Sequence, residues 1–536
     1  MNRQSRYKLL KLFIVILITL NNSFAQINQE EAFEPAISKP IGIETILNRL
    51  INSKDSLIVY NNEVINLGNY SIQKIDRVFK NAKIDSGILQ LNKSIEFHNC
   101  TITGKGLSNL KLNRVIFNGC EIASMSIANL KAKQLEFYHG PLRSLRILNS
   151  TIDNLILYNL ENPDVESGSI SIFKSSIRNK LLISRNSYYD NIGVFSSDLA
   201  NLRFQKNNSR AVGIINNQIT NELLVLEEKT SELSVRKNSF YSSDTLKYTF
   251  EIDCDKLIFL DNKVHVPILF ADSKITTRVD MADNIFTRPI DVHEVSFPEF
   301  GKYIPFSQFH EGFVVYDNLY GEESPDGANC YYCELYTGEN DEELADKTNF
   351  DKLVQSYEIL FHGYKSTGDI ESANLSYIQI KDLYLNRLGY IYRTDGGFKN
   401  YFRWKLAQLL KFYTNHGTDP ALSILISIYV VLIFAVFYIF FPSEWDVTSK
   451  TRLIADFKDF IDKNEKGRFK PFLALLAGLI ISLLNAITLS LNSFVTLGFG
   501  TIPTTGAARY VCILQGFIGW FLLSIFTVSL INQILF

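Results

Sequence analysis

The groups in this chain best placed to do chemistry are backbone carbonyls rather than side chains. Thr496-Leu497-Gly498-Phe499-Gly500 sets two glycines at alternate positions behind a threonine. Glycine takes positive φ at little cost, so successive carbonyls in such a stretch are free to point the same way. A ring of such oxygens, with the Thr496 hydroxyl, suits the replacement of water around a dehydrated cation. Non-helical backbone at membrane depth is tolerated only when it is buried in protein or lines water, and apolar segments flank this stretch on both sides. The other groupings carry less. Cys330-Tyr-Tyr-Cys333 is a lone CxxC. It has no second pair at zinc-ligand spacing and no βαβ context for thioredoxin-like chemistry, so a local disulfide in an exported loop is the simpler reading. Polysaccharide chemistry needs paired carboxylates in a groove. Asp153, Asp164, Glu166, Asp198, Asp253, Asp255 and Asp261 are scattered, and Asp253 and Asp255 read as one solvated strand face. His98 and His139 read as ordinary corner residues. No enzyme, metal or organic cofactor is expected from these residues.

A short apolar segment carrying Ser490, Asn492 and Ser493 precedes the glycine stretch. A turn with Pro503, Thr504, Gly506 and Arg509 follows it, and an apolar run then continues to Phe536. This arrangement resembles the pore of potassium channels, whose filter loop reads Thr-Val-Gly-Tyr-Gly or close variants such as Thr-Ile-Gly-Phe-Gly. The resemblance implies a selectivity filter at Thr496, Leu497, Gly498, Phe499 and Gly500, with Phe499 packed behind it. It implies a pore helix carrying Ser490, Asn492 and Ser493, and an inner helix whose Gly516 and Gly519 give a bend or close packing. It further implies a homotetramer that passes a monovalent cation, with potassium the expected ion. The chain departs from the family pattern at Leu497, where Val or Ile is usual, at Thr501, where an Asp often follows, and at Asn492, where many members carry an acid. These departures bear on ion selectivity more than on the presence of a pore.

The elements that must position such a loop occupy a long chain. Its 536 residues exceed one ordinary domain, and a net charge of −2 argues against nucleic acid as a partner. Arg3, Arg6, Lys8 and Lys11 precede the apolar run Leu12 to Leu20 and a small residue at Ala25, which reads as a secretory signal peptide over residues 1–25. Residues 30–83 read as a cap segment, with Ile43, Ile46, Leu47 and Leu50 on one helical face. From 84 to 300 a loose unit repeats: an alternating strand, then Asn, Ser or Gly, then another apolar residue. Ile95 to Ile102, Val115 to Ile122, Val212 to Ile219 and Leu257 to Val264 are examples. Starts about 20 to 30 residues apart predict an exported parallel β-solenoid whose corners fall at Asn and Ser. The pattern resembles degenerate pentapeptide-repeat or parallel β-helix proteins. Cys100 and Cys120 fall at equivalent places in adjacent coils and are expected to stack without a disulfide.

Residues 301–349 read as an acidic connector, and 350–418 as an α-helical hairpin broken at Gly368-Asp369 and followed by a basic, aromatic interfacial helix. The order of repeats, hairpin and pore is similar to that of a bacterial ion-channel group. The pore domain spans 419–536. Ala421 to Phe441 is long enough to cross a membrane, and the charged segment Pro442 to Lys470 follows. Only 26 residues separate Lys470 from Thr496, about six more than one spanning helix uses. A re-entrant filter loop entering from the cytoplasmic side is therefore favoured over a full span. Gating input is expected from the N-terminal side. The expectation is a multi-pass inner-membrane cation channel in contact with lipid, its solenoid outside the cytoplasm and free to bind an unknown ligand. The alternative is a membrane-anchored surface binding protein with a non-conducting C-terminal anchor.

Overall fold

The computed structural model describes residues 39–68, 83–163, 167–241, 248–288, 290–298, 301–309, 314–316, 319–320, 334–440, 451, 454–455, 457–458, 461, 469–496 and 507–535. The signal-peptide segment and the Cys330–Cys333 pair lie outside them.

Strands between Ile41 and Tyr316 wind into one parallel β-solenoid of about 11 turns. Along the strands, side chains alternate between the inside and the outside of the coil. Equivalent residues then stack from turn to turn: Val115, Leu135, Leu155, Leu181, Leu202 and Leu223 follow one another in register and are fully buried. Two positions on, Tyr60, Phe97, Phe117 and Phe137 form a ring stack at 5.6, 5.0 and 4.6 Å. One coil could not bury these faces; its neighbours do.

The corners explain the Asn and Ser signal. Each corner is a dipeptide whose first residue takes positive φ and whose second turns inward. Asn149-Ser150, Lys174-Ser175, Ser196-Ser197, Asn216-Asn217, Lys237-Asn238, Asp261-Asn262 and Asp283-Asn284 form one such column. The Asn217 backbone N–H donates to Asn238 Oδ1 at 2.9 Å, and Asn238 repeats this to Asn262 and Asn262 to Asn284. Each Asn Nδ2 also donates to a strand carbonyl, as Asn238 does to Ile214 at 2.8 Å. Buried polar groups at the corners are thus satisfied along the column. A second corner column holds Cys100 and Cys120, then Asn186, Asn207 and Glu228. The two thiols are free and buried, and they donate to strand carbonyls of Tyr60 and Phe97. Burial pushes the Cys120 thiol up to about 12, so it is inert as a nucleophile.

The solenoid extends beyond the expected 84–300. Ile41–Gly42, Leu57–Asn61 and Val64–Leu67 already pair as its first turns. The repeat is hard to see there because helix α1 (Ile43–Asn52) interrupts it. Ile43, Ile46, Leu47 and Leu50 are the buried side chains of α1 and cover the end of the core. Burying four such residues is worth about 6–10 kcal/mol in transfer terms.

At the far end the expected connector is structured where it is described. Lys302–Tyr303 and Val314–Tyr316 pair as further strands. Phe309 stacks on Phe286 at 5.2 Å, and Phe306 meets Tyr357 and Tyr364 edge-on. Both tyrosines belong to α3 (Lys347–Thr367), which follows α2 (Asp341–Ala345) and forms the expected hairpin with α4 (Ile370–Asp395). Asp369 caps α4 by accepting from Ser372 N–H. The Phe306 N–H donates to Ser372 Oγ at 3.0 Å, and Tyr364 donates to the Ile304 carbonyl at 2.8 Å. One continuous apolar core therefore runs from α1 through the solenoid into the hairpin. Helices α5 (Phe398–Thr414), α6 (Pro420–Phe440), α7 (Phe469–Thr496) and α8 (Ala507–Leu535) complete the chain.

Candidate functional site

Three helices, α6, α7 and α8, are long and apolar enough to cross a membrane. Their apolar side chains leave few handles to fix how they pack, so polar side chains and small residues do it. Tyr438 of α6 donates to Gln515 Oε1 of α8 at 2.8 Å. Gln515 Nε2 donates to the Ser490 carbonyl and hydroxyl of α7 at 3.0 and 2.7 Å. Ser490 Oγ donates to the Val431 carbonyl of α6 at 2.7 Å. Ser490 and Gln515 are fully buried. One polar network thus ties all three helices at one level.

The contacts on either side of this network give the helix directions. Ser490 faces Gln515, and four residues on Phe494 faces Gly519, where an added Cβ would overlap the Phe494 carbonyl. Helices α7 and α8 therefore run the same way. Helix α6 runs against both. Tyr438 packs with Ala486, Leu489 and Cys512, whereas Val431 packs with Phe494 and Leu522. Near the start of α6, the Gly417 carbonyl accepts from Ser529 Oγ at 2.9 Å, close to the end of α8.

Parallel neighbours joined by a short connection are unusual. Ala507 lies eight residues before Gln515, which places it level with Ser482 on α7. Thr496 lies 14 residues past that level, roughly 21 Å along the axis at the helical rise. The ten residues 497–506 connect these two points, and ten residues reach about 33 Å when extended.

The residues singled out from sequence fall as follows. Thr496 is the last residue of α7, exposed, with its hydroxyl donating to the Asn492 carbonyl at 2.6 Å. Leu497, Gly498, Phe499 and Gly500 lie outside the described residues. Ser490 and Ser493 are buried in the bundle and Asn492 is half-buried. Gly516 and Gly519 are buried on α8, and α8 is one unbroken helix, so Gly519 serves close packing. The short segment carrying Ser490, Asn492 and Ser493 is not a helix of its own. Phe469–Thr496 is a single helix, since nothing in it breaks the i to i+4 bonding. Its first half extends past the end of α6, and its second half lies between α6 and α8. No protein-family model, no curated protein and no solved structure matches the chain. Gln515 and Tyr438 are not among the residues that the sequence reading points to. Gln515 as the one amide in the 20 mainly apolar residues from Val511 to Leu530 is the available signal.

On the solenoid, Arg114 bridges Glu96 at 3.3 Å and Glu136 at 3.5 Å, one turn to either side, and His98 meets Glu96 at 3.1 Å. Arg203 pairs with Glu222 in the same manner. These pairs tie turns together across a strand face. Asp255 accepts from Thr276 Oγ1 at 2.8 Å. Among the described residues no cluster of metal-ligating side chains occurs.

Proposed function

We propose that the chain forms a cation channel in which Thr496–Gly500 lines the ion path and four copies assemble around it, with potassium the expected ion. The observation that carries this reading is the shared direction of α7 and α8. A helix that ends inside a bundle, followed by a short return to the starting level and a parallel inner helix, suits a re-entrant loop. Backbone carbonyls of the return segment can then line a path through the assembly. In this reading α6 is the outer helix, the second half of α7 is the pore helix and α8 is the inner helix. Most of the apolar surface of the three helices is exposed in one protomer, which leaves area for neighbouring copies and lipid.

The opposed directions of α6 and α8 also favour both of their outer ends on one side of the membrane. With a cleaved signal peptide, that side is the one away from the cytoplasm, and the filter is entered from the cytoplasmic side. Lys450, Arg452, Lys458, Lys463, Lys466 and Arg468, which connect α6 to α7, suit a cytoplasmic location. Helix α5 has no acidic residue, exposes Phe398, Phe402 and Phe412, and carries Lys399, Arg403 and Lys405. This composition suits the headgroup layer.

The test is ion flux into liposomes carrying the purified full-length protein. Potassium flux exceeding sodium flux is expected, and Gly498→Ala is expected to abolish that preference while the protein still inserts, because a Cβ opposes positive φ. Absence of flux in the parent protein would favour a membrane-anchored solenoid without a pore.

A further inference from the structure

The corner between α5 and α6 is held by α4 on one side and by the end of α8 on the other. Asn415, His416 and Gly417 all take positive φ, at 47°, 60° and 93°. Two consecutive non-glycine residues in that region are held there only by their surroundings. From α4, Asp382 Oδ1 accepts from His416 Nε2 at 2.9 Å and from Lys411 Nζ at 2.8 Å. Burial opposes the Asp382 charge, yet the His416 and Lys411 hydrogen bonds and charges together hold its carboxyl below the usual range. The carboxylate is therefore an ionised tether. The His416 side chain is only 6% exposed, while Asp382 is half-buried and Lys411 is exposed. On its other side the corner holds α8, through the Gly417 carbonyl and Ser529 Oγ. Tyr413, the residue two before the corner, packs with Val431, Phe494 and Leu522 and bonds Ser427 at 2.8 Å. It thus sits under the C-terminal end of α7.

Helix α4 carries both ends of this relay. Its first turn is bonded to the last solenoid turns through Ser372 and Phe306. Ten residues on, Asp382 holds the corner. We propose that the Asn415–Gly417 corner transmits displacement of the solenoid to the last turns of α8, with Asp382 as its positioning residue. The gating part of this proposal rests on the channel reading above. The mechanical part does not. In the tethered state the end of α8 is pinned to the start of α6. When Asp382 lets go, the corner relaxes from its left-handed conformation, the Gly417 carbonyl turns away and the end of α8 is released. The two states differ in specific contacts, as coupling between distant parts requires.

The experiment is amide hydrogen exchange on the full-length protein in lipid nanodiscs, with flux measured on the same variants in liposomes. Asp382→Ala is expected to raise exchange about tenfold at residues 415–418 and 525–531, while solenoid amides are unchanged. Asp382→Glu is expected to restore much of the protection. Ser529→Ala removes the second link alone and is expected to raise exchange only in the last turns of α8. Both alanine variants are expected to change the rate of potassium flux and leave its preference over sodium intact. Unchanged exchange at 525–531 in Asp382→Ala, with the corner itself opened, would overturn the coupling. If Asp382→Ala loosens the solenoid as well, Ser529→Ala decides: no change in either α8 exchange or flux would overturn it. A parent protein without flux but with the expected exchange pattern would refute the channel reading and leave the coupling standing.

Discussion

Replacing Glu228 by Gln should convert a pH-sensitive solenoid into a pH-insensitive one. Glu228 sits in the second corner column, where its Oε1 accepts from the Asn207 N–H at 3.2 Å and from Nδ2 at 2.6 Å. Its other oxygen is buried and has no partner. Burial, only partly offset by the Asn207 hydrogen bonds, pushes the carboxyl from 4.5 up to about 8. A raised pKa means that the folded state holds the proton between these two values while the unfolded chain gives it up. Stability is therefore greatest below pH 4.5, falls as the pH rises towards 8 and is level above that. Between pH 5 and pH 9 the loss amounts to about 4 kcal/mol, since each tenfold difference in proton affinity is worth about 1.4 kcal/mol. Gln keeps the accepting oxygen, is neutral throughout and fits the same volume. Denaturant unfolding of the full-length protein, followed by the β-structure circular dichroism signal, should show parent and variant close together at pH 5. At pH 9 the variant should be more stable by about 4 kcal/mol. Parallel pH profiles for the two proteins would show that Glu228 is ionised at little cost, and the argument from its burial would fail.

Asn238→Ala should lower solenoid stability by about 3 kcal/mol, because the Asn217 N–H and Nδ2 lose their acceptor in a dry corner; the same unfolding assay reads it. Gly519→Ala should separate α7 from α8 at a cost of about 1–3 kcal/mol, seen as earlier thermal aggregation of detergent-solubilised protein while solenoid unfolding stays in place. Single cysteines at Ser449 and Phe536, treated with an impermeant reagent on intact cells, should give labelling at Phe536 and protection at Ser449; protection of Phe536 would rule out the shared side of the two outer helix ends.

Some of this is legible in the chain and some is not, for identifiable reasons. The α1 face of Ile43, Ile46, Leu47 and Leu50 can be read because helical spacing survives in a short segment. The corner positions can be read because an Asn or Ser returns once per turn. Which Asn of Asn216-Asn217 turns inward cannot, since that depends on strand register and a shift of one residue reverses every side chain. Pairing of Leu57–Asn61 with Ser94–His98 is hidden by 32 intervening residues without a clear repeat. In the membrane part, apolar runs locate the helices but give them no direction. The 26 residues before Thr496 look too few for a span followed by a pore helix. In the structure one helix, α7, takes up the whole stretch, reaching past α6 with its first half and entering the bundle with its second. The directions become fixed through the Gln515–Ser490–Tyr438 network together with the Phe494–Gly519 and Gly417–Ser529 contacts, pairings that no spacing rule could supply.

The corner columns also make the solenoid a ruler. From Asn217 to Asn284 each turn repeats the same corner hydrogen bonds to the next, so a turn can be added or removed there without altering the chemistry of that column. Neighbouring strands lie about 4.8 Å apart, so the roughly 11 turns hold α1 about 50 Å from the hairpin. Inserting one unit such as residues 217–237 would move α1 outward by a single strand spacing and leave the Asp382 corner untouched. The distance from α1 to the hairpin is therefore set in discrete steps, by a count of turns rather than by the flexibility of a linker.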